Sequence, residues 1–189
     1  MPTMELPVTE RPLRRADLAS TAGPRTDGRR YELLDGALLI SPPPPSHHQR
    51  VVLNLARQLA LALPGDLEVL VGPFPVGLAE DTEFSPDVLV APAEDFTDRD
   101  LPCAPFLAVE VLSVATRQLD LEVKRARYEA AGTPYYWVVD PDLPQLFAWE
   151  LNDDGRYVDV GHVIGESCFV VERPCHLEIV PLRLLRPPA

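Results

Sequence analysis

The alternation of apolar and polar positions divides the chain into short strands and two helices. Two apolar runs in residues 31–40 surround Asp35-Gly36, a dipeptide typical of a type I′ turn, and they predict a β-hairpin. Apolar residues then recur at helical spacing and predict a helix from Ser46, as its N-cap, to about residue 63. The apolar stripe of this helix comprises Val52, Leu55, Leu59 and Ala62.

Further short apolar runs predict a series of strands. They fall at residues 67–71, 74–78, 87–91, 106–112, 135–139, 145–151, 157–163, 168–172 and 176–180. A second helix is predicted over residues 119–131, with Gly132 and Pro134 as its C-terminal stop. This order of elements predicts a mixed α/β domain with one central sheet. Most strands of the sheet are expected to be antiparallel, and helices are expected to flank it.

The domain organisation is expected to be simple. Residues 1–30 are predicted to form an N-terminal arm with a short helix around residues 13–20, and residues 31–189 a single domain with its own core. No stretch is apolar and long enough to span a bilayer, and the first residues lack the apolar segment of a signal peptide. We therefore expect a protein that does not enter a membrane.

The cysteines point to a reducing compartment. Three cysteines without CxxC spacing disfavour a zinc knuckle and favour a cytoplasmic location. Cys168 and Cys175 could form a disulfide, but two free thiols are the simpler expectation.

The charge distribution bears on the partner. A net charge of −12 is unfavourable for nucleic-acid binding, which normally depends on a basic surface. Residues 1–30 hold six Arg against four acidic residues, so the remainder of the chain carries −14. A second basic cluster along the chain comprises Arg117, Lys124, Arg125 and Arg127. Charge alone does not decide the substrate.

The single lysine, Lys124, among sixteen arginines is a candidate for chemistry that Arg cannot perform, because Arg cannot lose its proton. Two acidic residues interrupt apolar strands upstream of it. If residues 87–110 form a hairpin whose paired residue numbers sum to about 197, Asp87 lies opposite Glu110. Two carboxylates so close repel unless a cation lies between them. Mg²⁺ or Mn²⁺ would suit these oxygen ligands and could polarise a phosphoryl oxygen.

Each of these residues also has a simpler interpretation. Asp87 could be a turn residue at the entry to a strand, since Pro-Asp is common in turns. Glu110 could face solvent from an edge strand. Lys124 could form an ion pair with Asp120 on a helix surface, which is worth only about 0.3–0.5 kcal/mol.

The order and spacing of several motifs extend beyond these three residues. They are Pro86-Asp87, Val109-Glu110-Val111-Leu112-Ser113, Asp120 followed by Lys124 and Tyr128 at four-residue intervals, Gly132, Tyr135-Tyr136-Trp137 and Asp140-Pro141. Two N-terminal motifs accompany them, Tyr31-Glu32-Leu33-Leu34-Asp35-Gly36 and Pro45-Ser46-His47-His48. With these motifs, residues 31–151 resemble the large family described as putative restriction endonucleases, of the PD-(D/E)XK nuclease superfamily.

The resemblance implies roles for individual residues. Asp87 and Glu110 would be the metal carboxylates and Lys124 the catalytic cation, with Glu32 and His48 as supporting residues. Asp120 would support the site as the partner of Lys124. One departure from the superfamily pattern concerns the lysine, which normally lies two residues after the acidic residue on the same strand. That position is Leu112 here, so the resemblance implies that the lysine has moved to the following helix.

The sequence thus predicts a restriction-endonuclease-like α/β protein. We expect a Mg²⁺- or Mn²⁺-dependent endonuclease that hydrolyses nucleic acid, with DNA favoured. Because cutting both strands of a duplex usually takes two active sites, we also expect a homodimer. Two alternatives stay open, a catalytically inactive binding module with the nuclease fold and a metal-dependent hydrolase of a small phosphate compound. The acidic net charge favours the binding module, and the acidic pair with its single lysine favours the enzyme.

Overall fold

A computed structural model describes Glu5, Thr9 and residues 11–21, 28–173 and 175–187. The strands in chain order are β1 (Arg30–Leu34), β2 (Ala37–Ser41), β3 (Leu67–Val71), β4 (Val76–Ala79), β5 (Thr82–Phe84), β6 (Val88–Pro92), β7 (Leu107–Val111), β8 (Tyr135–Asp140), β9 (Gln145–Leu151), β10 (Tyr157–Ile164), β11 (Phe169–Val171) and β12 (Leu177–Ile179). The helices are α1 (Arg15–Thr21), α2 (Ser46–Ala62), a π-helix (Leu119–Lys124) that continues into α3 (Arg125–Ala130), and α4 (Pro181–Leu184).

A six-stranded mixed sheet forms the centre of the molecule, with the strand order β10-β9-β8-β7-β6-β3. Only β7 and β8 are parallel within it. In the β6–β7 hairpin Val88 pairs with Val109 and Leu89 with Ala108, so the predicted register is confirmed. The expected α/β class with a central mixed sheet is likewise confirmed.

A second sheet of four strands, in the order β2-β1-β5-β4, departs from the expectation of one sheet. Its β5 has only three residues, too few to show a period in the sequence. The predicted turn between β1 and β2 is confirmed, because Asp35 and Gly36 both have positive φ, 49° and 80°. A further two-stranded sheet joins β11 and β12.

Successive residues of a strand point to opposite sides of the sheet, so the apolar strands of the central sheet place apolar side chains on both faces. Helices pack on both of these faces. Val109, Trp137 and Val139 face α2 in one apolar cluster, which includes Val51 and Leu55. On the other face, Ala108, Tyr136 and Val138 pack with Tyr128 of α3 and Phe84 of β5. The second sheet and α3 therefore lie on the same side of the central sheet.

Two helix termini differ from expectation. Ser46 is the first residue of α2 rather than its N-cap, because the preceding proline run keeps Pro45 extended, at φ −74° and ψ 168°. The predicted regular helix over residues 119–131 begins instead as a π-helix. Its predicted stop at Gly132 is confirmed, because α3 ends at Ala130 and Gly132 has a φ of +80°.

The predicted N-terminal arm falls partly outside the described residues, namely at 1–4, 6–8, 10 and 22–27. Its short helix is present as α1, from which Arg15 forms ion pairs with Glu83 and Asp100. Gly77 lies against the guanidinium of Arg15, and a Cβ atom at this position would collide with that group. No helix in the described parts of the chain is long and apolar enough to cross a membrane.

Candidate functional site

The candidate site lies between the central sheet and the four-stranded sheet, where buried charged side chains meet. We call this group the buried charge cluster, and it comprises Arg30, Glu32, Asp87, Glu110, Asp120 and Lys124, with His48 at its edge. Asp87 immediately precedes β6, and Glu110 lies on β7 on the same face as Ala108. The surface interpretation of Glu110 is therefore wrong, because β7 is an internal strand and the side chain is buried. Asp87 does lie at the entry to a strand, but its side chain is buried as well.

Lys124 is the centre of the cluster and is only 1% exposed. Its Nζ atom lies 2.9 Å from Glu32 Oε1, 3.1 Å from Glu110 Oε1 and 3.3 Å from Asp120 Oδ1. The pair with Asp120 exists, but the surface interpretation of it is wrong because the whole group is buried. Lys124 instead joins carboxylates from a strand of each sheet and from its own helix.

The π-helix contributes two charged residues to the interior. Asp120 and Lys124 lie within it, and Tyr128 follows in α3 on the same buried side. The wider π-helical turn changes the direction of the side chains relative to a regular helix, and such turns are frequent at functional sites. The ring centroids of Tyr136 and Tyr128 are 5.1 Å apart. The hydroxyl of Tyr136 donates a hydrogen bond to the backbone oxygen of Asp120 at 2.7 Å. These contacts fix the helix against β8.

Asp87 is held by contacts on both of its oxygen atoms. The Oδ2 atom accepts a hydrogen bond from the backbone N–H of Val111 at 2.7 Å and lies 3.2 Å from His48 Nε2. The Oδ1 atom accepts from the guanidinium of Arg30. Burial by itself would raise the pKa of Asp87, but Arg30 and His48 outweigh it and hold the pKa below its ordinary value.

Glu110 has the opposite electrostatic environment. Burial raises its pKa well above the ordinary value, and the neighbouring carboxylates Asp120, Asp87 and Glu32 add to the effect against the opposing charge of Lys124. Burial also raises the pKa of Asp120. For Lys124, burial would lower the pKa, but the surrounding carboxylates outweigh it and raise the pKa, so the lysine stays protonated.

Arg30 is a member of the site that the sequence motifs did not indicate. It begins β1, two residues before Glu32, so the two side chains leave the strand on one face. That two-residue spacing was the available signal. Besides its hydrogen bond to Asp87, its Nη1 atom lies 3.8 Å from Glu110 Oε2.

The supporting residues named from the sequence also reach the site. Glu32 accepts a hydrogen bond from the backbone N–H of Ser85 at 2.9 Å in addition to its contact with Lys124. His48 is 4% exposed, and its Nδ1 atom lacks a hydrogen-bond partner in the described structure. The hydroxyl of Tyr128 is likewise buried and unpartnered there.

The second basic cluster of the sequence does not form a free basic surface. Lys124 is buried, Arg117 is paired with Asp140, and Arg127 with Asp35. Arg125 lies over the ring of Trp149, with 5.0 Å from Cζ to the ring centroid. Among the described residues, no three His, Cys, Asp or Glu side chains form a ready metal-binding group.

The chain matches a protein family, and its fold matches a solved structure. Residues 17–172 match the family model Uma2, described as putative restriction endonuclease. The fold is similar to a solved structure described as a putative nuclease belonging to DUF820 from Anabaena variabilis ATCC 29413. That similarity has a TM-score of 0.71 and 16% sequence identity, over 93% of this chain and 100% of that chain. No curated protein matches the sequence.

Proposed function

The chain belongs to the Uma2 family, described as putative restriction endonuclease, and from this premise we propose that it is a divalent-cation-dependent endonuclease with DNA as its substrate. One observation carries the proposal. Asp87, immediately before β6, and Glu110, on the neighbouring β7, lie in one buried cluster with Lys124, which contacts Glu110. Asp87 and Glu110 are the proposed metal carboxylates, and Lys124 the proposed catalytic cation.

The charges of the cluster fit a divalent cation. It contains four carboxylates and two cationic side chains, so it has a formal excess of two negative charges when His48 is neutral. A buried charge excess is costly unless it is neutralised by a proton or a cation. Carboxylate oxygens are the ligands that Mg²⁺ and Mn²⁺ prefer. Asp120 Oδ1 adds a buried oxygen that lacks a well-aligned hydrogen bond in the described structure.

The protein's own residues hold this arrangement. When bound, the metal would supply Lewis-acid polarisation of a phosphoryl oxygen and a more acidic water. Lys124 keeps its proton and places a fixed positive charge beside Glu110, where it can offset negative charge that develops on the phosphate. Glu32 and Asp120 hold the ammonium group in place, and His48 orients Asp87.

A substrate panel tests the proposal. We expect purified protein with Mn²⁺ to cleave DNA, and we expect EDTA to stop the reaction. Glu110→Gln removes one proposed metal carboxylate and should lower the rate by about 10²–10³-fold, by analogy with the loss of one preorganised catalytic group. Asp98→Asn on an exposed turn serves as the matched control and should retain the wild-type rate.

The panel also separates the alternatives. Activity on a small chromogenic phosphodiester but not on DNA or RNA would favour a small phosphate substrate, which fits the acidic net charge and the paired arginines. Binding of nucleic acid without cleavage under any metal would favour a non-catalytic module. Equal activity in wild type and Glu110→Gln would contradict the assigned site.

We further propose a homodimeric assembly in the cytoplasm. The three cysteines are free thiols, as a reducing compartment favours. Strand β10 lies at one edge of the central sheet and exposes the apolar residues Val158, Val160 and Ile164, which an interface could cover. We expect light scattering to give twice the chain mass at micromolar concentration. A monomer, with and without DNA, would contradict this assembly.

A further inference from the structure

Arg30 lies where a metal bound to Asp87 and Glu110 would have to make its contacts. Each of these carboxylates has one oxygen held by another group of the protein. Oδ2 of Asp87 accepts from the backbone N–H of Val111, and Oε1 of Glu110 lies 3.1 Å from Lys124 Nζ. The second oxygen of each carboxylate, Oδ1 of Asp87 and Oε2 of Glu110, faces the guanidinium of Arg30.

A divalent cation shared by the two acids would need the oxygen atoms that face Arg30. Arg30 places positive charge between Asp87 and Glu110, and this charge reduces the repulsion between the two buried carboxylates. A metal would do the same with twice the charge. The guanidinium and the metal are therefore alternative occupants of one position.

We infer that Arg30 is a further residue of the metal site and that it exchanges with the divalent cation. In the metal-free protein its guanidinium joins Asp87 and Glu110, and metal binding displaces it. The inference rests on the proposed function, since it assumes that these two carboxylates bind the metal.

Lys124 does not exchange in this way. It contacts Oε1 of Glu110 rather than the Oε2 atom that faces Arg30, and it is joined to Glu32 and Asp120 as well. It is 1% exposed, whereas the side chain of Arg30 is 19% exposed. Within the buried charge cluster, Arg30 is thus the cation that can leave toward solvent with the fewest contacts broken.

The exchange makes Arg30 a determinant of metal affinity. Metal binds only to protein molecules in which the guanidinium has left the site. The apparent Kd is therefore the intrinsic Kd divided by the fraction of molecules in that state. Removing Arg30 abolishes this cost. The metal-free protein should at the same time become less stable, because the carboxylates lose a partner.

Titration calorimetry with Mn²⁺ measures the effect without relying on activity. We expect Arg30→Met to bind Mn²⁺ about tenfold more tightly than wild type or better, as follows when the competent fraction rises from a tenth or less to near one. Arg30→Lys keeps a charge but loses the planar fork, and it should fold normally and show a smaller gain. Arg127→Met is the matched control, since it removes the same charge from an Arg–Asp pair outside the cluster.

The outcomes separate the inference from the proposed function. Tighter binding in Arg30→Met but not in Arg127→Met supports the exchange. Wild-type or weaker affinity in both Arg30 variants overturns the exchange and leaves the metal site in place. An equal gain in Arg127→Met also overturns it, because a general charge effect then accounts for the change. No Mn²⁺ binding by wild type or by either Arg30 variant would overturn the metal site itself.

Discussion

Replacing Lys124 with Met should lower the free energy of unfolding by about 3–5 kcal/mol, the usual cost of removing one partner from a buried ion pair. The substitution keeps a long apolar side chain of similar length but leaves Glu32, Glu110 and Asp120 without their shared cation. All three carboxylates are almost fully buried, so water cannot replace the lysine without rearrangement. Nuclease activity should be lost as well. Urea unfolding at constant pH, with a parallel cleavage assay, checks both effects.

Lys124→Arg separates charge from shape. Arg keeps the positive charge, but its larger planar group must enter a site already filled by carboxylates and by the ring of Phe84, 5.3 Å from Lys124 Nζ to the ring centroid. We expect an overpacking cost of about 1–3 kcal/mol. Activity should fall by about a hundredfold, because small displacements near reacting atoms are costly.

A surface arginine gives the matched control for both substitutions. Arg127→Met breaks a partly exposed ion pair with Asp35 and should change stability by no more than about 1 kcal/mol. Full activity in Lys124→Arg would contradict the catalytic role of the lysine. If Lys124→Met lowered the free energy of unfolding as little as Arg127→Met, the stabilising role assigned to Lys124 in the buried charge cluster would be contradicted.

The register of the central hairpin could be predicted because it depends on local alternation. Apolar residues before and after the connection between β6 and β7 fix which residues face each other, and the pairing of Val90 with Leu107 follows from that pattern. A similar local signal, Asp35-Gly36, fixed the first hairpin. Asp87 and Glu110 could therefore be brought together from the sequence alone.

The residues that the sequence motifs missed depend on distant contacts. Arg30 reaches Asp87 because β1 pairs with β5 in a second sheet, through residues as far apart as Leu33 and Glu83. No local period reports such a pairing, and a three-residue strand has too few positions to show one. The contacts of Arg30 therefore emerge only once both sheets are in place.

The burial of Lys124 could not be predicted from the sequence for a different reason. The spacing of Asp120, Lys124 and Tyr128 indicates that they share one side of a helix, but not whether that side faces solvent or the core. Burial depends on Glu32 and Glu110, which come from the two sheets and supply the opposite charge. The apolar spacing predicted only a regular helix, and the π-helical turn was not predicted.

The double variant Asp87→Asn with Glu110→Gln should lose the stabilisation that Mn²⁺ gives to the wild type. A metal that binds only the folded state adds about 2.7 kcal/mol when its free concentration is a hundred times the Kd. The variant keeps nearly the same shape but replaces both carboxylates that flank Arg30 with neutral amides. Neutral amides are weaker ligands for hard cations. We therefore expect thermal unfolding to show a Mn²⁺-dependent rise in Tm for the wild type and none for the double variant.

A second double variant, Asp153→Asn with Asp154→Asn, removes the same charge from an exposed loop and tests for a general effect. It should retain the wild-type rise in Tm, because screened surface charges contribute little to a specific site. An equal rise in the Asp87–Glu110 variant would place the metal elsewhere. A loss of the rise in both variants would mean that overall charge, rather than two particular carboxylates, attracts the ion. The assigned site requires the loss to be confined to the Asp87–Glu110 variant.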